Sequence, residues 1–265
     1  MCNLYTYKLS RDEIRGLLQH YKLIGQQWSE VFDREMAGKN DEALVYPKSP
    51  APVVIVQDGE RALDHMGWGM PGPISRNGLG ERPRRPGFLT NVHNTQRGHW
   101  RTWLASANVA IGKDKPLRGG RCIVPAKVFA EPDRNTAKPV LNRWFGRADG
   151  VPFFFAGIWR EWQGDVGTIK APNVGLHRLF AILTTEPNAT VAPVHDKAMP
   201  VMLMTAEDVE VWLNGTLEQA LKLQKPQPAM RSWLRVMTRR RLPEAKASES
   251  QAACQICPPY SVDSW

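Results

Sequence analysis

Strand-forming segments follow one another through the middle of this chain with few helical segments between them, and that order is what most limits its fold. The β-branched run Val53–Gln57 reads as a strand, and Leu63–Met70 as a second that ends in Trp68-Gly69. Arg121–Pro125 (RCIVP) and Lys127–Glu131 (KVFAE) read as two strands or one bent strand. Phe153–Trp159 (FFFAGIW) is a continuous apolar run, which marks a buried strand. Arg178–Thr184 and Pro200–Met204 add two more. Helices are expected toward the ends: residues 11–22, opened by Ser10 with Glu13; residues 206–213, capped by Thr205; and a segment near 217–223, where Thr216 and Gln219 form a capping box. Few βαβ units fit this order. The expected class is α+β, with a mostly antiparallel, barrel-like β-sheet core and flanking helices.

One domain is expected over residues 2–225, with 42% hydrophobic residues in the chain to supply its core. Residues 226–265 read as a basic and then polar C-terminal tail, partly disordered toward its end. Residues 71–87 (PGPISRNGLGERPRRPG) are too broken by Gly and Pro for a helix or strand. Arg82, Arg84 and Arg85 make that loop either a phosphate contact or a solvated surface. The excess of 35 Lys and Arg over 26 Asp and Glu leaves a charge of +9, which favours polyanions because each neutralised phosphate releases counterions. Of the ten Trp, most belong in a core and a few are available to stack on unpaired bases.

No apolar run is long enough to span a membrane, and MCNLYTYKLSRDEIRG lacks the apolar centre of a signal peptide. The four cysteines, Cys2, Cys122, Cys254 and Cys257, are too sparse for a disulfide framework. A reducing, cytoplasmic setting follows, in which a free thiol survives. Cys254-x-x-Cys257 has no second pair and reads as a tail feature rather than a metal site.

Initiator Met is normally removed before a small residue, which makes Cys2 the mature N-terminus. Its amine and thiol both have reactive fractions near neutral pH. An aldehyde condenses with the amine to an imine, and the thiol then closes a five-membered thiazolidine, which an internal Cys cannot do. Further candidates are the polar and aromatic stretch Asn91, His93, Asn94, Gln96, His99, Trp100 and Trp103, fit for a sugar and a base. Glu131, ending an apolar strand, is placed for proton exchange. His195, in Val194-His195-Asp196-Lys197, suits a proton shuttle near pH 7. Taken singly, each of these segments is equally an ordinary loop or strand end.

Taken in order they resemble one family. Met1-Cys2-Asn3, Gly67-Trp68-Gly69, Thr90-Asn91-Val92, Arg121 to Pro125 with Phe129 and Glu131, Phe155 to Trp159, Thr184 to Asn188, and His195-Asp196 before Met199-Pro200 are similar to the SOS response-associated peptidase (SRAP) family over roughly residues 2–213. The resemblance implies an abasic-site processing protein of the DNA damage response that crosslinks to single-stranded DNA, acting as a monomer and without a cofactor. Cys2 then resembles the nucleophile, Asn91 the residue that holds the N-terminus and the opened sugar, Glu131 the acid/base carboxylate, and His195 the group that helps open and transfer the sugar. Trp68 resembles a base-stacking residue. Where the family often has Arg two residues after the Asn, this chain has His93; after His-Asp it has Lys197 and an extra Ala198. Lys offers a point charge instead of a planar fork.

Other chemistries use similar residues. An N-terminal nucleophile amidohydrolase also employs an unmasked Cys, with its amine as base. A non-covalent single-strand binding module needs only the basic surface and the Trp residues. An internal cysteine protease needs Cys122 with His195, yet Cys122 lies in an apolar strand, where a Cys is more often structural.

Overall fold

The computed structural model describes residues 2, 4–7, 44–57, 59–73, 86–113, 116–133, 135, 140–147 and 149–227. The expected helix at 11–22, Arg82, Arg84 and Arg85, and Cys254 and Cys257 lie outside them.

Among the described residues the strands are β1 (Leu4–Thr6), β2 (Leu44–Val45), β3 (Pro50–Gln57), β4 (Glu60–Trp68), β5 (Met70–Pro71), β6 (Phe88–Leu89), β7 (Asn91–Val92) and β8 (Val109–Ile111). They continue as β9 (Leu117–Ala126), β10 (Val128–Asp133), β11 (Leu141–Gly146), β12 (Phe153–Asp165), β13 (Val174–Thr185), β14 (Met199–Pro200) and β15 (Met202–Leu203). The helices are α1 (Gly98–Leu104), α2 (Ala206–Asn214) and α3 (Leu217–Leu221). The sheet β13-β4-β3-β9-β12 closes on itself because β12 also pairs with β13. Its joints are antiparallel except β4–β13, a parallel seam of two pairs, Gly67↔Leu179 and Trp68↔Phe180. A second sheet, β11-β10-β1-β2, is antiparallel throughout. The α+β, mostly antiparallel barrel-like expectation is borne out.

Side-chain alternation explains the apolar run in β12. Phe153, Phe155 and Trp159 join a core shared with Tyr5, Phe129 and Phe145 of the second sheet. Phe154, Ala156 and Ile158 join another core with Trp100 and Trp103 of α1 and Trp212 of α2. The strand is covered on both faces, so neither face tolerates polar residues. Gly157 falls on the first of these faces. A Cβ there would meet the Cys122 sulfur at 3.0 Å and the Ala181 carbonyl at 3.2 Å, so the two neighbouring strands close tightly over it.

The structure settles or shifts the bounds of the expected strands. RCIVP and KVFAE are two strands in different sheets, parted at Lys127, whose N–H donates to the Thr6 carbonyl at 2.8 Å. The strand expected over Leu63–Met70 begins at Glu60 and ends at Trp68, because Gly69 (φ +144°) turns the chain and donates its N–H to the Phe180 carbonyl. Pro200–Met204 splits at Val201, which donates to Leu183 on β13 and accepts from Ala156 on β12.

The expected capping box at Thr216 is present, and the expected cap at Thr205 is a full capping box with Asp208. Asp208 N–H donates to Thr205 Oγ1 at 3.0 Å and Gln219 N–H to Thr216 Oγ1 at 3.2 Å, each with the reciprocal bond. The C-terminal ends of α1 and α2 are held by Arg121, which is buried. Its guanidinium donates to the Leu104 carbonyl at the end of α1 and to the Leu213 and Gly215 carbonyls at the end of α2. One side chain thereby satisfies helix-end carbonyls that would otherwise lack donors.

Candidate active site

Cys2 lies two residues before the start of β1 and is wholly buried in the core shared by the two sheets. Its thiol lies 3.7 Å from the Leu4 carbonyl, to which it donates. The Asn91 side-chain amide donates to the Cys2 carbonyl at 2.8 Å and also to Thr90 Oγ1 at 2.8 Å. Asn91 is placed by backbone geometry. β7 pairs in parallel with β13, Asn91 opposite Ile182, and the Thr90 carbonyl accepts from both Ile182 N–H and the Trp68 indole N–H, each at 2.9 Å. The amide oxygen of Asn91 is buried and has no hydrogen-bond partner among the described residues. A buried acceptor left this way is costly, and a donor arriving on a ligand relieves it.

Glu131 sits on β10, with no exposure to solvent. Burial pushes its carboxyl up to about 7, so both protonation states are populated at neutral pH. The Cys2 thiol is held well above the ordinary range, first by burial and then by the charge of Glu131. A thiol so held is protonated at neutral pH and needs a base in order to attack. Glu131 is the neighbouring group able to take that proton.

His195 lies in the loop between β13 and β14 and is 8% exposed. Asn188 shapes that loop by accepting from the N–H groups of Thr190 and Val191, both at 3.0 Å, and His195 N–H donates to the Val191 carbonyl at 2.9 Å. The ring Nδ1 stands 2.9 Å from the Ala198 carbonyl oxygen and 3.2 Å from the Ala198 nitrogen. Ala198, the extra residue after Lys197, therefore orients the imidazole. Val191, Val194 and Met199 of the same loop pack on the core that contains Cys2. The structure thus groups Cys2, Asn91 and Glu131 directly, and His195 through the core its loop shares with them.

Trp68 stands elsewhere than expected. It is wholly buried, stacked on Phe180 at 6.4 Å and edge-on to Tyr5 at 5.1 Å, so its faces have no room for a base. Its contact with the site is the hydrogen bond to Thr90. Trp100 and Trp103, grouped with Asn91 as a sugar and base site, are buried in the core beside α1. His93 and Lys197 are exposed. His93 Nδ1 lies 3.2 Å from Thr184 Oγ1. Cys122 is buried, and burial raises its thiol, which leaves the internal protease without an activated nucleophile.

Sequence reasoning missed Gln224. Its side chain bonds the carbonyls of His93 at 2.7 Å and Thr184 at 2.9 Å and accepts from Thr95 Oγ1 at 2.8 Å. A residue following α3 thereby pins the segment after Asn91 to β13. No local pattern signals a glutamine of this kind.

A sequence model of the family described as SOS response associated peptidase (SRAP) matches residues 1–240. Abasic site processing protein YoqW of Bacillus subtilis (strain 168) is 34% identical over 100 residues, which is 38% of this chain and 41% of that protein. Abasic site processing protein YoaM of the same organism is 33% identical over 102 residues, 38% of this chain and 40% of that protein. These matches span less than half of the curated relatives' length. A crystal structure of a protein from Bordetella bronchiseptica superposes with a TM-score of 0.57 at 21% identity, covering 88% of this chain and 97% of that one. Another, from Bacteroides thetaiotaomicron, gives 0.57 at 17% identity, with 85% and 87% covered. At these identities the likeness is one of fold.

Proposed function

This chain belongs to the SOS response associated peptidase family, and from that membership we propose that it captures abasic sites in single-stranded DNA as a covalent thiazolidine through Cys2 once Met1 has been removed. The observation that carries the reading is the grouping of a buried Cys2, held at its carbonyl by Asn91, beside a carboxyl raised to about 7. The relatives named for abasic site processing support the choice of substrate.

The abasic sugar interconverts between a closed hemiacetal and an open aldehyde, and His195 assists the opening by proton transfer. The Cys2 amine adds to C1′, and loss of water gives an imine. The thiol then adds to the imine carbon. Its proton passes through Glu131 to the ring nitrogen, so amine, thiol and aldehyde become thiazolidine plus one water. An imine acidifies the adjacent carbon and permits β-elimination, which breaks the strand; ring closure removes that electron sink. The raised carboxyl of Glu131 serves ring closure as a base and ring reopening as an acid. The lesion must be unstacked to enter, which favours single strands. The peptidase of the family's description is read here as removal of Met1.

The test uses the full chain, its mature N-terminus checked by mass spectrometry, mixed with an abasic single-stranded oligonucleotide. The expected result is an adduct that survives denaturing electrophoresis and is lost in Cys2→Ala. No adduct, or an equal one with Cys2→Ala, refutes the reading. Salt-sensitive binding that Cys2→Ala leaves intact, without an adduct from either protein, identifies a non-covalent module instead. Ammonia release from glutamine identifies an amidohydrolase.

A further inference from the structure

The face of the second sheet turned toward Cys2 changes character along its length. Phe129 of β10 stands opposite Phe145 of β11, and both lie in the core that contains Cys2. The next pair on the same face is Glu131 opposite Arg143, followed by Asp133. Arg143 is partly open, its side chain 24% exposed, whereas Asp133 is buried. The Nε of Arg143 donates to Asp133 Oδ2 at 2.7 Å, which fixes the guanidinium at one edge. Its two terminal nitrogens make no hydrogen bond among the described residues. Asp133 Oδ1 also accepts from Asn135 N–H at 3.0 Å, and the Asn135 amide donates to the Pro193 carbonyl at 2.7 Å. Pro193 is two residues before His195, so the fork of Arg143 is anchored to a strand end that is itself tied to the His195 loop.

From this placement we propose that Arg143 grips a phosphodiester of the DNA backbone flanking the lesion, a role resting on the abasic-DNA reading above. A planar guanidinium fixed at Nε presents its two remaining nitrogens as a fork, the geometry that matches two phosphate oxygens. Arg143 positions the strand and leaves the proton transfers to Glu131 and His195.

The experiment compares wild type, Arg143→Lys and Arg143→Gln on the abasic oligonucleotide across a salt series. Arg143→Gln is expected to weaken apparent binding and to lower the salt slope by about 1. Arg143→Lys keeps the slope and loses part of the affinity. A series of oligonucleotides carrying one neutral methylphosphonate at successive linkages then locates the contact. One linkage near the lesion should weaken wild type several-fold and leave Arg143→Gln unaffected. Wild type that crosslinks but shows the same salt slope and methylphosphonate profile as Arg143→Gln overturns the assignment and leaves the parent reading standing. Absence of any crosslink with wild type overturns the parent reading itself. A Gln variant that fails to fold shifts the decision to Arg143→Lys, whose methylphosphonate profile must differ from wild type at the same linkage for the assignment to stand.

Discussion

Glu131→Gln separates the cost of burying a carboxyl from its use. Burial raises this carboxyl from 4.5 to about 7, so its neutral form is the one the folded state favours. The sign follows: its contribution to stability is fully present below 4.5 and is lost as the pH rises through 7. Once ionised, the carboxylate disfavours the fold by about 3 kcal/mol, of which roughly 2–3 kcal/mol falls between pH 5 and pH 8. Gln has nearly the same shape and no charge to bury. Urea unfolding of both proteins at the two pH values should show wild type losing that much more stability than Glu131→Gln on going to pH 8. The difference between the two proteins cancels the titrating groups that do not sense Glu131. If both fall in parallel, the carboxyl is not buried in the manner described, and its role as a base poised near neutrality goes with it. The same variant should form the adduct more slowly.

Arg121→Met keeps the apolar stem and strips donors from the carbonyls of Leu104, Leu213 and Gly215. A loss of about 3 kcal/mol in urea unfolding is expected, and an unchanged midpoint would show that water replaces the guanidinium without cost. Thr205→Ala removes the side-chain half of the cap on α2 and should cost about 1 kcal/mol in the same assay. Asn91→Ala frees the Cys2 carbonyl and should slow adduct formation more than it weakens non-covalent binding; equal effects on both would place Asn91 in DNA binding alone.

The strands were legible because their apolar runs are long, and the capping boxes of α2 and α3 because their residues are adjacent in sequence. α1 was not legible. Gly98–Leu104 opens without a side-chain cap, and its form rests on Trp100 and Trp103 packing on the closed sheet and on Arg121 receiving its last carbonyls. β11 was missed for a related reason, since LNRWFG mixes polar and aromatic residues and acquires its pattern only opposite β10. Trp68 shows the limit of a motif. Its position beside the site was readable, but the face of the strand it occupies follows from register, which the local sequence does not state. Gln224 and Arg143 act on residues far away in the chain, and nothing beside either residue announces that.

The closed sheet has two short joints, β3–β9, where Val54 opposite Ile123 is the single registered pair, and β4–β13. Where β4 meets β13, only Gly67 and Trp68 find partners, whereas the β3–β4 and β12–β13 hairpins on either side are held by long ladders. Parting that joint leaves both hairpins whole, so the ring can unzip into an open sheet at small expense in hydrogen bonds. The indole anchoring Thr90 belongs to the residue that would let go. Opening at this place would free Thr90 and the neighbouring Asn91, and with them the hold on the Cys2 carbonyl.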